Sequence, residues 1–236
     1  EVFGKIPVVF CGVNWFQPGD LRGQSLYTGV NEDADIAATF DLMLMLHPQT
    51  KHIHIIIDST TTGHKVHEKI QQIVPRYQDK VEFHLLENME MDAVLDMIAR
   101  VSDDSLILLT VMQKDAAGHF FEFSESTRMI SEASKVPVYG IWDFNLGFGI
   151  VGGMLTSGRS QGSNAGALVR RILNWEPPES IPVILASPNQ WMFDYQAMLR
   201  FGLKRADLPS GSLVIHEPPS FYAVNRALVW GVAAGV

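Results

Sequence analysis

The chain has 236 residues, of which 47% are hydrophobic and 19% charged. That composition excludes a disordered polymer and is long enough to bury a sizeable core. Its 18 Lys and Arg against 26 Asp and Glu leave a net charge of −8, with the basic residues scattered, so no nucleic-acid-binding face is expected. The single cysteine, Cys11, rules out an intrachain disulfide, though a domain of this size needs no such staple to live in the periplasm.

In chain order, residues 6–13 (IPVVFCGV) are a continuous apolar run, which predicts a strand buried on both faces with Cys11 inside. The run ending at Cys11 is not read as a lipoprotein cleavage site, because Phe10 stands where a small residue is needed. Residues 15–30 carry Pro18, Gly19, Gly23 and Gly29 and read as a loop. Residues 33–46 place Ile36, Ala37, Phe40, Met43 and Leu44 at helical spacing, and Pro48 ends that helix. Strands are then expected at 52–57, 81–86, 105–111 and 136–141, alternating with helices at 62–74, 89–101 and 124–134. Such alternation predicts right-handed crossovers and a parallel sheet covered by helices on both faces. Further on, the glycine-rich 147–153 reads as tight packing or a crossover, 158–173 as a helix, 181–186 as a short strand and 190–201 as a helix.

Ligands of open parallel sheets sit beyond the carboxyl ends of the strands. Those ends carry Asn14, then Asp58-Ser59-Thr60-Thr61-Thr62-Gly63, then the stretch after 105–111 with Asp115, then Trp142 and Asp143. This mixture of amide, hydroxyl, carboxylate and aromatic groups suits a small polar ligand. Hydroxyls at a helix start can meet an anionic group beside free N–H donors. Each one taken singly is better read as a helix cap, but the run is longer than capping needs.

No catalytic constellation emerges. Gly147, Gly149, Gly152 and Gly153 fit neither a dinucleotide fingerprint nor a phosphate loop, and Ser157 and Ser160 lack a nucleophile elbow. Five of the eight histidines lie between His47 and His67, but His64 and His67 read as a solvated helix face, and no metal-ligand frame or cofactor is expected.

Taken together, residues 6–14 (IPVVFCGVN), Thr28-Gly29-Val30, residues 58–63 (DSTTTG), Trp142 with residues 147–153, Gln161-Gly162 and Leu208-Pro209 resemble the substrate-binding-protein-like domains related to tryptophan-type ABC transporter receptors. The version they look like most is the periplasmic sensor region of bacterial histidine kinases and diguanylate cyclases. The resemblance runs over residues 1–222. It implies an α/β fold of the two-lobed periplasmic-binding-protein type I kind, with parallel sheets flanked by helices and a first lobe that is N-terminally truncated. On that reading residues 1–30 are a remnant of lobe one and the first crossover, 31–146 are lobe two, and 147–222 hold the return crossover and the remaining elements. Residues 223–236 then begin a transmembrane helix, in keeping with ten uncharged residues from 227 to 236.

The ligand set implied is Asn14, Thr28, Asp58, Thr60, Thr61, Thr62, Thr110, Asp115, Trp142 and Asp143, around an amino acid or small carboxylate. The function expected is extracytoplasmic ligand sensing in a membrane-bound signalling protein, anchored in the inner membrane through its C-terminal flank, with homodimer formation left open. The alternatives are a soluble ABC-transporter receptor and an α/β enzyme acting on a small polar substrate, for which Asp58, Asp115 and Asp143 offer carboxylates but no base–nucleophile pair.

Overall fold

The computed structural model describes residues 6–219. The predicted start of a membrane helix at 223–236 lies outside them, and among the described residues no helix is long and apolar enough to cross a membrane.

The chain begins with a parallel pair, β1 (Val8–Asn14) and β2 (Tyr27–Glu32). The sequence hid β2 inside an expected loop, because YTGVNE lacks both an apolar run and a clean alternation. Gly29 is required there: a Cβ at this position would lie 2.4 Å from the Phe10 carbonyl oxygen. A later helix, α5 (Gly158–Leu173), packs on this pair, burying Val30, Ala165, Leu168 and Ile181 against Val9, Ile172 and Ile184. Only one face is covered in this way. Cys11, Gly12 and Val13 are exposed, which corrects the expectation of a strand buried on both sides with Cys11 inside.

The principal sheet contains β3 (His52–Ile57), β4 (Glu82–Glu87), β5 (Ser105–Val111) and β6 (Val138–Gly140), all parallel in the order β4-β3-β5-β6. Between them run α1 (Ile36–Leu46), α2 (Thr61–Ile73), α3 (Met91–Ile98) and α4 (Phe123–Ala133), as the alternation of patterns predicts. The two-residue period of a strand divides its side chains between two cores. Ile53, Ile55 and Ile57 join Phe40, Met43, Val66 and Ile70 on one face. Ile56, Ile107 and Leu109 join Met91, Val94, Ile98 and Ile130 on the other. The central β5 is buried at every position. Each fully buried aliphatic side chain contributes about 1.5–3 kcal/mol relative to exposure, so this double-faced core dominates the fold.

The sheet continues through the glycine-rich segment. β7 (Gly152–Leu155) runs beside β6, with the Val151 and Thr156 N–H groups donating to the Val138 and Ile141 carbonyls at 2.7 and 2.9 Å. β8 (Gln190–Asp194) pairs antiparallel with β7, and β9 (Leu213–Ile215) parallel with β8. Tight packing explains the glycines: a Cβ on Gly152 would lie 2.1 Å from the Met192 carbonyl oxygen, and one on Gly153 would lie 2.5 Å from that of Gly140.

Two expectations change here. The helix foreseen at 190–201 is β8 followed by a short α6 (Tyr195–Arg200). The consecutive Trp191, Met192 and Phe193 favour strand over helix, and Asp194 starts α6 by accepting from the Gln196 and Ala197 N–H groups. The short strand foreseen at 181–186 is reduced to a single bridge between Val30 and Ile184, since Pro182 has no N–H to give a ladder.

Candidate functional site: a junction of two sheets

The chain passes between the β1–β2–α5 layer and the principal sheet at 32–35, at 155–158 and at 184–190. Polar side chains tie these connections together. Asn31 accepts from the Phe16 N–H at 2.8 Å and donates to the Leu185 carbonyl at 2.9 Å. Gln161, buried on α5, donates to the Asn31 carbonyl at 3.0 Å and to Ser187 at 3.3 Å. Asn189 accepts from Thr156 and Ser187 and donates to the Asp33 carbonyl at 2.7 Å. The connecting segments are thus held by amides and hydroxyls rather than by a continuous apolar core.

At this junction the carboxyl ends of both sheets meet. The Trp142 indole, just past β6, donates its Nε1 hydrogen to Glu32 Oε1 at 3.1 Å, at the end of β2. Burial pushes the Glu32 carboxyl above its usual range, the Trp142 hydrogen bond pulls it back, and the negative charge of Asp143 pushes it up further. Among the described residues neither Glu32 nor Asp143 forms an ion pair.

Two carboxylates thus lie beside aromatic rings. Trp142 stacks with the partly exposed Phe144 at 5.8 Å between centroids and 11° between planes, and Phe123 lies 4.2 Å from Phe144. Across from them, at the end of β1, Asn14 Oδ1 and Trp15 Nε1 are buried with no hydrogen-bonding partner. Trp15 also holds a left-handed φ of 51°, a conformation that costs a bulky residue about 1–3 kcal/mol. Its side chain packs on the same core as Trp142. A hollow of about 280 Å³ opens between Trp15 and Gln17 on one side and Lys65, Glu68 and Gln72 of α2 on the other. A second, of about 470 Å³, lies behind the connections, lined by Asp33, Lys69, Arg76, Ser187 and Asn189 among others.

The ten residues named from sequence fall into separate groups. Asn14, Trp142 and Asp143 sit at the junction. Asp58 and Thr60 act together at the carboxyl ends of β3 and β5. Asp58 Oδ1 accepts from the Thr60 N–H and hydroxyl, while Oδ2 accepts from the Gln113 and Lys114 N–H groups, stitching the β3 end to the β5 end. Thr60 is the N-cap of α2, accepting from the Gly63 N–H.

Asp115 braces its own loop by accepting from the Met91 and His119 N–H groups. Burial pulls its carboxyl up, but those hydrogen bonds and the nearby His119 imidazole hold it below the usual range. Thr110 donates to the Ile56 carbonyl inside the sheet. Thr61 is exposed and Thr62 half-buried in the first turn of α2. Thr28 is fully buried in β2, with its hydroxyl unpartnered. None of the ten lines either hollow. Trp15 and Phe144 follow strand ends in the sequence but lie outside the expected ligand set, and Glu32 carries no sequence signal. The partner of Glu32 is 110 residues away, and only the position of β2 could have marked it.

With this geometry in hand, residues 3–207 match the family model described as ABC transporter substrate binding protein. The chain belongs to that family. Its members are ligand-binding proteins rather than enzymes. No curated protein matches the chain in sequence.

Solved structures share the fold of this ABC transporter substrate binding family member at low identity. A conserved domain protein from Vibrio cholerae O1 biovar El Tor is 18% identical with a TM-score of 0.60, over 88% of this chain and 71% of its own. The ABC domain from Streptococcus pneumoniae in complex with L-Trp is 16% identical with a TM-score of 0.57, over 80% of this chain and 65% of its own. A ligand-free, open substrate binding protein with adhesive properties from Clostridium difficile is 14% identical with a TM-score of 0.61, over 91% of this chain and 72% of its own.

Proposed function

We propose that this chain is an extracytoplasmic small-molecule receptor domain whose ligand seats between the carboxyl ends of β1–β2 and those of β3, β5 and β6. One lobe comprises residues 6–32 and 158–184, the other residues 36–155 and 190–219. Ligand binding shifts the lobes toward closure about the polar connections, and closure is passed on within the membrane-bound signalling protein of which this domain is a part. The observation that carries this reading is the Trp142–Glu32 hydrogen bond, which joins the two sheets at the ends where ligands of such folds bind.

The ligand-facing set is Asn14, Trp15, Glu32, Trp142, Asp143 and Phe144, with Thr61 and Thr62 on the α2 rim. Asp58, Thr60, Thr110 and Asp115 shape the loops that hold it. Carboxylates beside aromatic faces, with no ion pair to neutralise them, favour a ligand bearing a protonated amine. An amino acid fits this better than a simple carboxylate.

A thermal-shift screen of the 236-residue chain with amino acids, amines and small carboxylates tests the reading. Amine-bearing compounds should raise Tm, since a ligand of the folded state alone adds stability, and Trp142→Ala should abolish the shift. A shift given only by amine-free carboxylates, or one untouched by the Trp142 substitution, overturns the site assignment.

The family description equally supports a second reading, a free receptor that delivers its ligand to a transporter. Fractionation of cells expressing the intact gene product separates the two. Recovery with the membrane after salt and carbonate washing supports the sensor, and release with the periplasmic contents supports the free receptor.

A further inference from the structure

At the end of the principal sheet away from the ligand cleft, β3 and β4 begin side by side with His52 opposite Glu82 and His54 opposite His84. His52, His54 and Ile56 share one face of β3, and Glu82, His84 and Leu86 share the same face of β4. Ile56 and Leu86 enter the core beneath α3 and α4. The polar members emerge at the strand starts, where side-chain exposures of 32%, 66% and 35% for His52, Glu82 and His84 leave them open to solvent.

Their donor atoms converge. His52 Nδ1 and His84 Nε2 are 3.1 Å apart. Glu82 places one carboxylate oxygen 3.5 Å from the first and the other 3.9 Å from the second. Bonds of about 2.0–2.1 Å to a tetrahedral Zn²⁺ set neighbouring ligand atoms about 3.3 Å apart, so the spacing fits a single ion. Without an ion, the pair of ring nitrogens must share one hydrogen, one donating and the other accepting. Nearby, Asp104 is committed to Lys51 and Ser102, and His54 stacks on His84 at 4.6 Å with its buried Nδ1 unpartnered.

We propose that His52, Glu82 and His84 form a binding site for a divalent transition-metal ion of the Zn²⁺ class, with solvent completing the shell. Two imidazoles and a carboxylate suit a borderline ion rather than Ca²⁺ or Mg²⁺, which prefer all-oxygen shells. Because β4 is the edge of the principal sheet, the ion staples that edge strand to β3. The site is independent of the ligand cleft, about six strand residues or 20 Å distant at 3.3 Å per residue.

The test uses the untagged 236-residue chain, stripped with chelator and titrated with ZnCl₂ by calorimetry, and with CoCl₂ by visible absorption. One equivalent should bind, Co²⁺ should show ligand-field bands near those of nitrogen–oxygen coordination, and Zn²⁺ should raise Tm. His84→Gln and, separately, His52→Gln should weaken Zn²⁺ at least ten-fold and erase the Tm shift. His64→Gln, an exposed histidine on α2, should leave both unchanged. Circular dichroism confirms that each variant is folded; should one of the cluster variants fail to fold, the other and Glu82→Gln carry the comparison. Wild-type protein that binds no Zn²⁺, or that binds it as tightly after either histidine is removed, overturns the proposal.

Discussion

Trp142 and Glu32 are hydrogen bonded at 3.1 Å although 110 residues separate them, and each stands at the carboxyl end of a strand in a different sheet. The bond holds a half-buried carboxylate in a place that resists its charge. Burial, followed by the nearby Asp143 charge, raises the Glu32 pKa despite the indole donor. A carboxyl whose folded pKa lies above its unfolded value contributes most below the unfolded pKa and loses that contribution as pH rises through the folded one. Glu32→Gln keeps an acceptor for the indole and removes the charge. The variant and the wild type should therefore melt together near pH 4 and diverge above it, with the variant the more stable at neutral pH. Thermal melts across pH 4–8 check this. The same variant should lose its response to amine-bearing ligands.

Asp58 should behave as a structural residue. Its two oxygens accept from the Thr60, Gln113 and Lys114 N–H groups and the Thr60 hydroxyl. In Asp58→Asn the new NH₂ group faces N–H donors. A cost of about 2–3 kcal/mol is expected for such charge-assisted bonds, read as a lower urea midpoint with an unchanged slope.

Asn189→Ala removes three hydrogen bonds that join the connections between the sheets. A loss of about 1–3 kcal/mol is expected. Hydrogen exchange should rise first at residues 31–33 and 184–189, while β5 stays protected. Uniform acceleration across β5 would show that the connections and the sheet unfold as one unit.

Gly152→Ala should be the most damaging of these changes. At φ 142° its Cβ would strike the Met192 carbonyl, breaking the β7–β8 pairing that carries β9. A loss of about 3 kcal/mol or more is expected, visible as poor recovery of soluble protein and a strongly lowered Tm.

Much of the architecture was legible because periodicity is local. The runs at 52–57 and 105–111, separated by amphipathic helices, announce a parallel sheet without any knowledge of its neighbours. β2 escaped because its burial comes from α5 and Ile184, far along the chain, rather than from its own side chains. β8 escaped because α6 follows it without a break, so one helical reading covered both elements. At the site, sequence located the strand ends but could not tell which polar groups the fold itself consumes. Asp58 and Thr60 stand at a strand end like ligand residues, yet their polar atoms already bond each other and the Gly63, Gln113 and Lys114 N–H groups. Glu32 looks like an ordinary surface acid until Trp142 reaches it. The His52–Glu82–His84 cluster was invisible for the same reason, since register across two strands, not spacing along one, brings it together.

The bare face of β1 has a practical consequence. Cys11 is the chain's one cysteine, and it is exposed. The 236-residue chain therefore carries a single attachment point for a thiol-reactive fluorophore, exposed on β1. A dye placed there needs no engineered cysteine in this chain, and its emission would report changes in the exposure of β1 as compounds are added.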